Sequence, residues 1–138
     1  MKMTLLTAAA VLALTPAAFA ASETYTADLK AASEVPAVDS KGAGTLTATY
    51  DTASKKLTYT VNYKDLSGPA TAAHFHGPAD AKTNAPVVVP AKDAASPIKG
   101  EATLTDAQAA DLQAGKWYFN VHTAANKGGE IRGQVMKK

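Results

Sequence analysis

From residue 24 to the C-terminus, apolar and polar positions exchange every second residue over short stretches. Residues 24–29 set Tyr25, Ala27 and Leu29 against Thr24, Thr26 and Asp28. Residues 44–50 set Leu46, Ala48 and Tyr50 against Thr45, Thr47 and Thr49, and residues 56–63 set Leu57, Tyr59, Val61 and Tyr63 against Lys56, Thr58, Thr60 and Asn62. Successive side chains on a strand point to opposite faces, so period-two alternation rich in β-branched and aromatic residues predicts half-buried strands. The polar link 51–55 makes the second and third of these a hairpin.

Further strands are predicted at 72–76, stopped by Gly77-Pro78, at 87–89, ended by Pro90, and at 98–104. Trp117–Thr123 is the strongest, with Trp117, Phe119, Val121 and Thr123 on one face and Tyr118, Asn120 and His122 on the other, polar face. Residues 130–136 close the pattern with Ile131, Gly133 and Val135 inward. One helix breaks the alternation. Thr105-Asp106-Ala107-Gln108 matches a capping box, residues 107–114 make about two turns, and Gly115 terminates them. Seven or eight short strands with turns between them predict an all-β fold. The expected architecture is an antiparallel Greek-key β-sandwich with one short helix.

The N-terminus has a different grammar. Lys2 precedes an uncharged run, residues 4–14, which is shorter than the ~20 apolar residues a membrane span requires. Pro16 ends it, and Ala18-Phe19-Ala20 places small residues at −3 and −1 of a cleavage site. Residues 1–20 are therefore expected to be a signal peptide, leaving residues 21–138 as a single domain in the periplasm or secreted. No later segment is apolar enough to span a membrane.

Charge and cysteine narrow the partners. The chain has 14 basic and 12 acidic side chains, and Lys2 is the only charge before residue 21. Residues 21–138 are thus close to neutral, which argues against nucleic acid or an anionic membrane as the partner. There is no cysteine, so neither a disulfide nor a lipid anchor on cysteine is available.

The candidate chemistry lies in three histidines, the only ones in the chain: His74, His76 and His122. His74 and His76 are two apart on a strand, so both project from one face while Phe75 packs the other way. His122 sits on the polar face of its own strand. If the two strands meet, three imidazoles converge, a set that suits copper or zinc, with Cu(II) ahead of Zn at a nitrogen site. Asp65 and Asp80, on the flanking loops, are the available oxygen ligands. Glu130 and Arg132 are expected to form an ion pair or to lock the preceding turn, and Tyr118 to be ordinary strand packing or a neighbour of the site.

Three segments together carry a family resemblance: Glu34-Val35-Pro36, Ala73-His74-Phe75-His76-Gly77-Pro78-Ala79, and the run from Asn120-Val121-His122-Thr123 to Gly129-Glu130-Ile131-Arg132-Gly133-Gln134-Val135. The chain resembles the chordin-domain (CHRD) family over nearly all of residues 21–138. It departs at Lys127, where relatives commonly carry proline, which loosens that turn. The resemblance implies an immunoglobulin-type or superoxide-dismutase-like sandwich. In animals the domain occurs within chordin, a secreted protein that binds growth factors; in bacteria it stands alone in exported proteins. The family's histidines match His74, His76 and His122.

Three functions follow for comparison. The first is a metal-binding protein, with copper preferred to zinc, in periplasmic metal handling or redox chemistry. The second is a structural or interaction module without metal, whose partner is another protein or a second copy. The third is a copper redox enzyme: His-x-His on a sandwich strand is similar to copper–zinc superoxide dismutase, but that enzyme needs more histidines than this chain owns. No Ser-His-Asp set, paired-carboxylate motif or phosphate loop is present, which argues against a hydrolase.

Overall fold

A computed structural model describes residues 14–15 and 19–138. Most of the expected signal peptide, residues 1–20, lies outside the described residues. Eight strands follow in chain order: β1 (Ser22–Lys30), β2 (Ala43–Asp51), β3 (Lys56–Lys64), β4 (Ala70–His76), β5 (Val87–Pro90), β6 (Ile98–Thr103), β7 (Trp117–Thr123) and β8 (Ile131–Lys137). A helix, α1 (Asp106–Gln113), joins β6 to β7, and a single 3-10 turn, Ala31–Ser33, follows β1. Every pairing is antiparallel. The all-β expectation and the one helix hold.

The alternation does what strand geometry demands. Tyr25, Ala27, Leu29, Leu46, Ala48, Tyr50, Leu57, Tyr59 and Val61 are all buried, while Thr45, Thr47, Thr49 and Thr58 are exposed. The β2–β3 hairpin closes because Asp51 Oδ1 accepts from the backbone N–H of Ala53 and Ser54, and Lys55 takes the left-handed φ of 60°. The capping box at α1 forms as predicted: Thr105 Oγ1 accepts from the Gln108 N–H, and the Gln108 side chain accepts from the Thr105 N–H. Lys55 adds an ion pair to Asp106 in the first turn.

The strands form one continuous sheet, ordered β5-β4-β7-β8-β1-β2-β3-β6, rather than the two separate sheets of a sandwich. The join is β1 against β8. Tyr25 and Thr26 pair with Lys137 and Met136, and Lys30 pairs with Arg132. Gly133 lies between these points, and any side chain there would collide with the backbone carbonyl of Asp28. The absence of a Cβ lets the strands touch. Glu23 reinforces the same seam, accepting from Lys137 Nζ at 2.8 Å and Gln113 Nε2 at 3.0 Å. With Tyr25 also donating to it, the Glu23 carboxyl is pulled down to about 2.

The sheet bends so that its halves face each other across the core. Tyr59 of β3 meets Phe75 of β4 edge-on at 4.9 Å between centroids, and Phe75 meets Phe119 of β7 at 4.8 Å. Trp117, Val121, Ile131 and Val135 fill the rest and are fully buried. β4, β7 and β8 therefore carry their outward side chains away from this core, and the histidines are among them.

Candidate metal centre

β4 and β7 are neighbours. Their register sets Ala72 opposite His122, His74 opposite Asn120, and His76 opposite Tyr118. Directly paired residues on an antiparallel ladder point to the same side. His74, His76 and His122 consequently share one face, the one opposite Phe75. Their ligand nitrogens all lie within 4.8 Å of one another. Ring centroids are 4.8 Å apart for His74 and His122, 5.5 Å for His74 and His76, and 6.2 Å for His76 and His122. Asp65 and Asp80 do not join them among the described residues. The Asp80 carboxylate instead accepts from the Lys82 N–H and Thr83 Oγ1–H, which holds it below the usual range.

The hydrogen bonds settle which nitrogens face inward. His122 Nδ1–H donates to the Lys127 carbonyl at 2.8 Å, leaving Nε2 as the lone-pair nitrogen. The partner is backbone, so the unusual lysine at 127 does not disturb it. His74 Nδ1–H then donates to His122 Nε2 at 3.1 Å. His76 Nδ1 meets the Ala85 carbonyl at 2.9 Å, and its Nε2 meets the Asn120 carboxamide at 3.0 Å. Metal-bound histidines commonly donate the other ring N–H to a backbone carbonyl. His122 has that arrangement before any ion arrives, and His76 places Nδ1 against a backbone carbonyl in the same way.

The spacing also fits. Imidazole nitrogens bound at about 2.0–2.1 Å stand about 2.8–3.4 Å apart for angles between square-planar and tetrahedral. The His74–His122 separation of 3.1 Å falls inside this interval. An ion there would take the place of the proton now shared between the two rings. Burial, followed by the neighbouring imidazoles, lowers the His74 pKa below its ordinary value. Burial is also the main cause lowering His76, opposed by its hydrogen bonds. Both effects favour the neutral rings that ligation needs.

Around the histidines lies a buried polar shell that the strand pattern did not predict. Tyr118 and Asn120, expected on a wet face, are each only 2% exposed. The loop 77–86 covers Tyr118, and His76, Glu34 and the Gly128-Gly129 turn cover Asn120, so β7 is largely buried on both faces. Tyr118 stacks on His76 with centroids 4.8 Å apart and planes within 3°, and its hydroxyl bonds to Ala85. Arg132, fully buried, approaches Tyr118 from the β8 side with its guanidinium carbon 3.5 Å from the ring centroid. Arg132 does not pair with Glu130. It donates to Asn84 Oδ1 at 2.8 Å and to the carbonyls of Thr83 and Asp80 at 2.6 and 3.1 Å. Those bonds pin the loop that delivers the Ala85 carbonyl to His76. Glu130 instead locks the turns, accepting from the Ser67 N–H and from Asn126 Nδ2.

The last member is Glu34, beside the 3-10 turn. It is 6% exposed, and its carboxyl is raised to about 7. Burial is the main cause, partly opposed by the Arg132 charge and by contact with Asn120. One sequence signal pointed to it: Glu34-Val35-Pro36 belongs to the family resemblance while sitting in an otherwise featureless break.

The CHRD-domain family model matches residues 25–135. The chain belongs to the CHRD family. No curated protein and no solved structure matches it. No helix among the described residues is long and apolar enough to cross a membrane.

Proposed function

We propose that this protein is an exported metal-binding protein that holds one Cu(II) or Zn(II) ion on His74, His76 and His122. The observation that carries the reading is the convergence of three ring nitrogens within 4.8 Å, two of the rings having Nδ1 on backbone carbonyls. Three neutral nitrogens with no sulfur favour Cu(II) over Zn(II) at equal availability. The place of action is the periplasm or the secreted medium, after cleavage following Ala20, and the role is metal handling or small-scale redox chemistry. Three protein nitrogens leave a further position on the ion for water or another ligand.

The test is a titration of the purified residue 21–138 protein with Cu(II) and with Zn(II), read by calorimetry and, for copper, by electron paramagnetic resonance. One ion per chain with nitrogen hyperfine structure is expected, and His122→Ala should weaken binding about 100-fold or more by removing one of three ligands. Equal, weak binding by wild type, His122→Ala and the His74→Ala, His76→Ala double variant would overturn the proposal.

A further inference from the structure

His76 meets an acceptor oxygen at each ring nitrogen: the Ala85 carbonyl at Nδ1 and Asn120 Oδ1 at Nε2. A neutral imidazole has a single N–H and can donate to only one of them. Nearby, Glu34 Oε1 is buried with no hydrogen-bond partner. Buried acceptors without donors are rare and costly. The two anomalies touch, because the Asn120 carboxamide lies between His76 and Glu34. Glu34 Oε1 and Asn120 Nδ2 both rest against the bare α-carbon of Gly129, where a side chain would displace them.

One rearrangement gives both groups a partner, at the cost of one long hydrogen bond. A half-turn of the Asn120 amide exchanges Oδ1 and Nδ2 without changing its shape. The NH2 group then donates to His76 Nε2, and the amide carbonyl faces Glu34. A protonated Glu34 donates to that carbonyl. The flip gives up the 3.3 Å bond from Asn120 Nδ2 to the Gly128 carbonyl, which then faces the amide oxygen. It replaces the approach of Nδ2 to the Glu34 carboxyl by the O–H donated from Glu34. Arg132 is the charged group bearing on Glu34, and its guanidinium is already committed to Asn84, Asp80 and Thr83.

We propose that Glu34 is a positioning residue for the histidine site: as a neutral carboxylic acid it donates to the Asn120 carbonyl, turns the Asn120 NH2 toward His76 Nε2, and so keeps the His76 proton on Nδ1. This rests on the metal-binding reading for its purpose but not for its test. Nε2 is thereby left as a lone-pair nitrogen on the face shared with His74 and His122. The ion displaces only a neutral amide hydrogen bond from it, not a proton.

The experiment is nitrogen-15 NMR of the His76 ring, with carbon-13 NMR of the Glu34 carboxyl, in the metal-free protein at pH 6. Wild type should show Nδ1 protonated, Nε2 unprotonated, and Glu34 in its acid form. Glu34→Gln should keep that tautomer, because the glutamine amide also donates to the Asn120 carbonyl. Asn120→Asp sets an acceptor against Nε2, so the proton should move there, and Zn(II) affinity should fall tenfold or more. An ionised Glu34 in wild type, Nε2 protonated in wild type, or an unchanged tautomer in Asn120→Asp would overturn the proposal. The Glu34 resonance needs no variant, so it decides even if Asn120→Asp fails to fold. Correct tautomers without Zn(II) binding would sustain the positioning role and overturn the metal reading. Zn(II) binding to a wild type whose Nε2 is protonated would do the reverse.

Discussion

At the scale of single residues, Glu34 is where burial and charge conflict most. Its carboxyl is raised from 4.5 to about 7, so between those values the folded protein binds a proton that the unfolded chain has released. Stability from this residue is therefore complete below about 4.5 and is lost as pH rises through about 7. Glu34→Gln removes the dependence while keeping shape. It should be close to neutral at pH 4 and stabilising by about 2–3 kcal/mol at pH 8, as measured by urea unfolding at both values. A stability difference independent of pH would show that the Glu34 carboxyl titrates alike in the folded and unfolded chain, without the upward shift. The histidines were legible in the sequence because strand periodicity alone puts positions 74 and 76 on one side. Glu34, Asn120, Tyr118 and Arg132 were not, because loop 77–86 covers Tyr118 and Arg132, while Glu34 and Asn120 are buried against each other and the turn at Gly128-Gly129. No local pattern records those contacts. The partners are far apart in sequence: Arg132 reaches Asn84 and Thr83, and His76 reaches Asn120.

At the scale of elements, the hairpins and the helix were readable because their instructions are local. Asp51 caps its own turn, and Thr105 and Gln108 cap the same helix end. Thr105→Ala should lower thermal stability by about 1 kcal/mol, seen in a calorimetric scan. The continuity of the sheet was not readable, because β1 and β8 meet across more than a hundred residues of chain. Alternation tells which face of a strand is buried, not which strand lies beside it. Gly133 is the residue that makes the meeting possible. Gly133→Ala should force β8 from the Asp28 carbonyl and cost about 1–3 kcal/mol, as overpacking does. Hydrogen exchange should then rise at the β1–β8 seam before it rises in the β2–β3 hairpin. Uniform exchange through both would mean that the seam carries no special share of the stability.

At the scale of the whole molecule, the core and the histidine site occupy opposite faces of the same strands. Phe75 points into the aromatic cluster while His74 and His76 point away from it, so the apo protein needs no ion to complete its core. Metal should act as a ligand of a folded protein, not as a folding nucleus. Its stabilisation then follows mass action: about 2.7 kcal/mol when free metal exceeds Kd a hundredfold, and about 1.4 kcal/mol more for each further tenfold. For a domain of this size the first figure corresponds to a rise in melting temperature of roughly 10 °C. Chelation should return the protein to its apo melting temperature with its circular dichroism unchanged at 25 °C. Loss of β-structure on chelation would instead make the ion part of the fold. The comparison belongs on residues 21–138, and under the export we propose, N-terminal sequencing of periplasmic material should find Ala21 first. His74, His76 and His122 are the only imidazoles in the chain to compete for the ion. A melting temperature that climbs with metal in wild type and stays flat in His122→Ala would therefore assign the whole shift to this site.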